Sequence, residues 1–280
     1  MTEDYELIDS GDGRKFERFG PYTLVRPCSQ AMWRPRDAAA WRAATASFDR
    51  EDGNRWHGRG ALPKEWTIET AGIRFKLTGT DFGHLGIFPE QREQWRWIRE
   101  MVKGEGKGEG EGEGKRVSVL NLFAYSGGST IAAAQGGAEV CHLDAAKGMV
   151  QWARENAALN GLRDHPIRWI ADDAHKFLRR EVRRGRRYDA VILDPPTFGR
   201  GANGELYKIE RDLQETLGLV RDVLSEKPLF VLFSSHTPGL SCRVAENIVR
   251  QAFPACRSVE AGEMLLGTEC PSGVYCRGVF

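Results

Sequence analysis

From Arg116 onward, short apolar runs alternate with longer segments of helical periodicity. Val117–Phe123, Ala138–Asp144, Ile167–Ala171, Tyr188–Asp194 and Leu229–Ser234 are compact apolar runs of strand length. Between them a helix begins over Thr130–Ala134, and Gly148–Leu159, Ala174–Arg184, Glu210–Leu224 and Cys242–Ala252 repeat apolar residues at helical spacing. Strands separated by helices of this length need parallel crossovers. The pattern therefore predicts an α/β fold, a Rossmann-like, doubly wound, mostly parallel sheet, with Gly273–Phe280 as an edge strand.

Residues 1–102 read differently. Trp, Arg, Gly and Pro are scattered through them, and Trp66–Leu77 alternates around a Gly, which predicts a small antiparallel hairpin. Gln91–Val102 has apolar residues at helical spacing and predicts a connecting helix. The stretch 103–115 contains GEGKGEGEGEGK, with nothing to bury, and is expected to be a disordered, dispensable loop. The expected organisation is a small N-terminal β-rich appendage over 1–102, this loop, and a nucleotide-binding domain over 116–280.

Composition changes this picture little. A formal net charge of +1 provides no global attraction to nucleic acid or to an acidic membrane. The one basic patch, Arg179–Arg187, carries six arginines against one glutamate, and serves equally as a phosphate contact or as a solvated helix end. The six cysteines form no C-x-x-C pair and do not cluster with His, so no metal site is expected and the thiols read as small buried hydrophobes. The acidic, polar N-terminus has no apolar core and no run reaches membrane-span length, so a cytoplasmic location is expected.

Ligands of doubly wound sheets bind at the carboxyl ends of the strands. The first such end is Asn121-Leu-Phe-Ala-Tyr-Ser-Gly-Gly, where Gly127 and Gly128 permit a tight turn and a close backbone approach. The second ends in Asp144-Ala145, a carboxylate placed to accept both hydroxyls of a ribose at the spacing of about 20 residues that dinucleotide folds use. The same carboxylate would serve to cap the following helix. The third ends in Asp172-Asp173-Ala174, which can accept an adenine amine or cap a helix. The fourth ends in Asp194-Pro195-Pro196-Thr197-Phe198. Two prolines without N–H leave only carbonyls there, and with Asp194 they form an acceptor-rich corner suited to a nucleobase amine. The glycine turn lacks the third glycine of the dinucleotide fingerprint, since Ile131 stands at that position, and this disfavours a nicotinamide cofactor.

NLFAYSGGST, LDAAKGMVQWARENAALNGL, DDAHKF and YDAVILDPPTFGRG resemble the S-adenosylmethionine-binding domain of class I RNA methyltransferases, with FGHLGIFPEQREQW similar to the segment preceding it. The nearest group is the bacterial large-subunit ribosomal RNA methyltransferases of the RlmI and RlmK type. The resemblance covers roughly 66–280. It implies S-adenosyl-L-methionine as cofactor and an RNA substrate. It also implies cofactor contacts at Gln91, Phe123, Tyr125, Ser126, Gly127, Asp144, Asp173 and Asp194, beside the neighbouring candidates Asn121, Ala145, Asp172 and Ala174. Members that methylate cytosine C5 carry a Ser-Cys after the fifth strand, whereas this chain has Ser234-Ser235-His236 and its next thiol is Cys242. The expectation is a methyltransferase acting on a base nitrogen of RNA, with Asp194, Pro195 and Phe198 at the acceptor. Cytosine C5 transfer, a nicotinamide oxidoreductase and a non-catalytic RNA- or nucleoside-binding module are the alternatives.

Overall fold

The structure, a computed structural model, describes residues 3–50, 53–105, 116–201 and 204–280. It divides into two compact units, Met1–Arg92 with Met264–Ser272, and Glu93–Glu263 with Gly273–Phe280. The expected division at residue 102 differs from this one, because the connecting helix falls in the second unit and a late segment returns to the first. Most of the low-complexity stretch, 106–115, lies outside the described residues; Lys103, Gly104 and Glu105 form the end of a helix.

The first unit holds a five-stranded sheet of β1 (Tyr5–Gly11), β2 (Arg14–Phe19), β3 (Tyr22–Pro27), β4 (Ala46–Asp49) and β5 (Arg55–His57), paired in that order. Beside it, β6 (Trp66–Thr70) and β7 (Ile73–Leu77) form the hairpin read from the sequence. Its two-residue turn places Ala71 at φ +50° and Gly72 at φ +72°, the backbone that matches strand twist. Ile68, Thr70, Ile73, Phe75 and Leu77 all face inward, as period two requires. Within the five-stranded sheet Glu17 is fully buried, held by Tyr5 Oη at 3.0 Å, Arg26 Nε at 2.9 Å and Lys15 Nζ at 3.3 Å. A buried carboxylate without such partners would cost several kcal/mol, so these groups stand or fall together.

The second unit begins with α1 (Arg92–Glu105) and then alternates: β8 (Ser118–Leu122), α2 (Gly128–Gln135), β9 (Glu139–Asp144), α3 (Lys147–Leu159), β10 (Ile167–Ala171), α4 (Ala174–Arg183) and β11 (Ala190–Leu193). A small hairpin follows, β12 (Phe198–Arg200) and β13 (Leu206–Lys208), then α5 (Ile209–Val223), β14 (Phe230–Ser235), α6 (Cys242–Ala252), β15 (Ser258–Leu266) and β16 (Cys270–Val279). The sheet order is β10-β9-β8-β11-β14-β16-β15. The first five strands are parallel and β16 runs antiparallel to β14. Every residue of β11 and β14 is buried, as central parallel strands covered on both faces should be. Phe177, Phe230 and Phe233 are among the largest fully buried side chains, each contributing roughly 1.5–3 kcal/mol of burial.

One strand assignment needs correction. The final segment is not the edge strand: β16 lies between β14 and β15, and β15 is the edge. Its sequence, SVEAGEMLL, carries the charges that keep an edge from pairing with other chains, and those charges hide its strand pattern.

Candidate active site

Chain order in the sheet reverses between β8 and β11, so the crevice of the second unit opens at their carboxyl ends. On the β8 side the loop Phe123–Gly127 is held in an unusual backbone. Phe123 at φ +54° and Tyr125 at φ +49° are both left-handed, at about 1–2 kcal/mol each, and Gly127 at φ +91° caps α2. The strain is stabilised by specific bonds. Tyr125 N donates to Asp144 Oδ2 and Ala146 N to Asp144 Oδ1, both at 2.9 Å. Asn156, fully buried on α3, donates through Nδ2 to the Ser126 carbonyl at 2.9 Å. A Cβ on Gly127 would lie 3.0 Å from the Ala153 Cβ, and one on Gly128 2.7 Å from the Trp95 ring.

Beneath this loop runs a buried polar chain. Asn121 Nδ2 donates to Thr130 Oγ1 at 2.9 Å, and that hydroxyl also meets His142 Nδ1 at 2.9 Å. Burial, with the Arg154 cation adding to it, pushes the His142 pKa down to about 3, so the ring is neutral.

Asp144 ends β9, and burial raises its carboxyl above the ordinary range, with its two backbone donors opposing the shift. Each of its oxygens accepts one N–H and retains a second lone pair. It is not the cap of α3, which is Ala146. Ala145 sits between the two. Asp173 is the cap of α4, with Oδ1 accepting from Lys176 N at 2.9 Å, and Ala174 is the buried first residue of that helix. Asp172 accepts from Asp173 N at 2.8 Å and is ion-paired with Arg180. The acidic pair thus shapes the start of α4 while Asp173 Oδ2 stays open. Gln91 is buried in the first unit, closing the turn Pro89–Gln91.

On the other side of the crevice, β11 ends at Leu193 and β14 at Ser235. Asp194 Oδ1 lies 3.4 Å from His236 Nδ1. The loops carrying them are joined by hydroxyls: Thr197 Oγ1 meets Thr237 Oγ1 at 2.9 Å, and Ser235 Oγ donates to Thr237 Oγ1 at 3.0 Å. Pro195 and Pro196 lie between, and Phe198 opens the β12–β13 hairpin with half its surface exposed. Tyr207, on the partner strand of that hairpin, packs its ring 5.2 Å from Phe123, and burial pushes its hydroxyl up to about 12. Cys242 starts α6, and burial raises its thiol above the ordinary range.

Asn156, Tyr207, Thr197 and Thr237 were not legible as site residues. Asn156 alone left a signal, a polar residue on the buried stripe of a helix beside Ala153 and Ala157. Three of the six arginines on and after α4 are ion-paired, Arg179 with Glu215, Arg180 with Asp172 and Arg184 with Glu181. Among the described residues no three His, Cys, Asp or Glu side chains converge on a metal site, and no helix is long and apolar enough to cross a membrane.

The carboxylates at successive strand ends fit the donor groups of a nucleoside, with spare acceptor lone pairs on Asp144 and an open oxygen on Asp173. The comparisons with known proteins agree with that chemistry. Residues 39–225 match the profile of the S-adenosylmethionine-dependent methyltransferase family. The chain is similar to the crystal structure of a SAM-dependent methyltransferase from Agrobacterium tumefaciens, at 36% identity and a TM-score of 0.89, covering 99% of this chain and 91% of that one. It shares its fold with a putative SAM-dependent methyltransferase from Streptococcus mutans, at 18% identity and a TM-score of 0.71, covering 99% and 75%. It is 33% identical over 171 residues, 58% of this chain, to the ribosomal RNA large subunit methyltransferase K/L of Shewanella frigidimarina. The aligned part is 21% of that longer relative.

Proposed function

The chain belongs to the S-adenosylmethionine-dependent methyltransferase family, whose cofactor is S-adenosyl-L-methionine, and from that premise we propose that it methylates a nitrogen of a base in ribosomal RNA. The observation that carries this reading is the acceptor corner: Asp194 beside His236, two prolines that bring no N–H, and half-exposed Phe198. The likeness to a ribosomal RNA methyltransferase supports the choice of RNA.

The cofactor supplies a methyl group on a sulfonium, already a strong electrophile, so the protein's task is mainly alignment. Asp144 accepts the ribose hydroxyls, and Asp173 with the Phe123–Gly127 loop holds the adenosine moiety. Asn121, Ser126, Ala145, Asp172 and Ala174 complete the cofactor set within the second unit, several of them by holding backbone rather than by direct contact, while Gln91 lies in the first unit. At the acceptor, Asp194 and the Pro195 carbonyl orient the base nitrogen through its N–H, and Phe198 stacks on the ring. His236 Nε2 is enclosed by protein, and its Nδ1 edge is the one beside Asp194. A cytosine C5 mechanism requires a thiolate, and the fifth parallel strand ends in buried Ser234 and Ser235.

The test is mass spectrometry of ribosomal RNA nucleosides from a strain lacking the gene, paired with labelled-methyl transfer to that strain's RNA in vitro. Loss of one N-methylated nucleoside, restored by the purified protein, is expected. A missing 5-methylcytidine, or a covalent adduct with 5-fluorocytosine RNA that Cys242→Ala abolishes, would overturn the nitrogen assignment. Transfer only to protein or to a small molecule would overturn the RNA assignment.

A further inference from the structure

Two of the six cysteines, far apart in sequence, meet within the first unit. Cys28 follows β3 and begins a tight turn: its N–H donates to the Gly13 carbonyl at 2.7 Å and its carbonyl accepts from Ala31 N at 3.0 Å. Cys270 is the fully buried first residue of β16. Their sulfurs lie 3.3 Å apart across 242 residues of sequence. A disulfide has S–S near 2.05 Å, so bond formation needs the gap to shorten by about 1.3 Å, within reach of side-chain rotation.

The two thiols are not equivalent. Cys28 keeps part of its surface in solvent, while Cys270 does not. The hydrogen bond shared with Cys270, with the Lys15 ammonium adding to the effect, lowers the Cys28 thiol to about 6 despite partial burial. Cys270 shifts the opposite way, held protonated by the same hydrogen bond and by burial. The other cysteines provide an internal contrast. Burial pushes Cys141 and Cys256 up to about 11 and Cys276 to about 12, and raises Cys242 as well. At neutral pH the partly exposed Cys28 is therefore the thiolate, with a resolving thiol in contact behind it.

We propose that Cys28 and Cys270 form an oxidation site whose substrate class is hydroperoxide, closing to a reversible disulfide. The Cys28 thiolate attacks one peroxide oxygen, the O–O bond breaks, and the chain gains a sulfenic acid while the other oxygen leaves as hydroxide and takes from solvent the proton that Cys28 had released, giving water. Cys270 then attacks the Cys28 sulfur, its proton joins the departing hydroxyl as a second water, and the S–S bond forms. Two thiols are oxidised by two electrons and one hydrogen peroxide is reduced to two waters. A dithiol reverses the step by thiol–disulfide exchange. The bond would tie the turn after β3 to the segment Met264–Ser272, both in the first unit, and shorten the unfolded chain's freedom by a very long loop.

The test uses the full chain, reduced and freed of reductant, treated with hydrogen peroxide, then unfolded and alkylated with N-ethylmaleimide so that every remaining thiol reacts. Alkylation at four of the six cysteines, and a tryptic peptide joining Cys28 to Cys270, are expected, with a melting temperature several degrees higher that dithiothreitol restores. Cys28→Ser should abolish the cross-link, and Cys270→Ser should let Cys28 pass on to sulfinic acid. All six thiols alkylated after peroxide, or a cross-link between other cysteines, would overturn the proposal. An independent measurement needs no variant: alkylation of Cys28 against pH should be half-maximal below the ordinary thiol value. A midpoint at the ordinary thiol value near 8.5 would also overturn it.

Discussion

At the β8–β9 half of the crevice the backbone is strained and closed on itself; at the β11–β14 half it is relaxed and open. The first half spends two left-handed residues, Phe123 and Tyr125, and satisfies both oxygens of Asp144 with backbone N–H groups. The second offers a single carboxylate, a string of hydroxyls and a hairpin with Phe198 and Leu206 exposed. The difference separates two tasks. A small invariant ligand suits a rigid site whose ordering cost is met during folding. A macromolecular acceptor suits a rim that presents apolar rings and adapts.

The largest effect should come from the open half. Asp194→Ala is expected to lower turnover by about 10²-fold or more, as for a group that orients the reacting atom, with a much smaller loss of affinity for S-adenosylhomocysteine. Calorimetry and single-turnover methyl transfer on one preparation check both arms. An equal loss of affinity would erase the distinction between the halves.

Next is Asp144→Ala, expected to weaken S-adenosylhomocysteine by about 1.5–3 kcal/mol, the worth of hydrogen bonds to a charged group. The ionised carboxylate is the form that accepts hydroxyl protons, and burial raises its pKa. Affinity should therefore decline on acidification at a higher pH than an ordinary Asp would give. A calorimetric titration series from neutral pH downward that stays flat in wild type would contradict this.

His142 tests the rigidity of the closed half. Its folded pKa near 3 lies below the unfolded value near 6.5, so the unfolded chain binds the extra proton between them. Stability from this group is present above pH 6.5 and is lost as pH falls towards 3, with a slope of at most about 1.4 kcal/mol per pH unit. Denaturant midpoints across that window should show a shallower slope in His142→Asn than in wild type.

The smallest effect on the fold should come from Phe198→Ala. Its ring is half exposed, so the melting temperature should hardly move, while KM for the RNA rises several-fold and kcat stays close to wild type. Steady-state kinetics with a ribosomal RNA fragment measure it.

Much of the second unit was legible because its central strands are buried on both faces and so read as unbroken apolar runs, as in Val117–Phe123 and Tyr188–Asp194. Asp144 and Asp194 were visible because each ends such a run. The five-stranded sheet of the first unit was not, because its inward face carries Glu17 and Arg26, an ion pair that breaks the binary pattern. The hairpin β12–β13 was hidden for the opposite reason: its three-residue strands leave Phe198 and Leu206 outside, and no alternation develops. The dual use of Asp173 as helix cap and open acceptor was stated as alternatives by its position and is settled only on the capping side, by its bond to Lys176 N.

The chain returns to the first unit at Met264 after leaving it at Arg92. A ribosome must therefore synthesise the chain as far as Ser272 before that unit possesses all its pieces. Residues 1–92 emerge early and wait, whereas the continuous span Glu93–Glu263 can complete most of its own unit first. Expression of an N-terminal fragment ending near residue 100 would omit Met264, Leu266 and Cys270, three buried side chains of the unit it was meant to isolate. A fragment designed to be autonomous would need that last segment spliced back on through a linker.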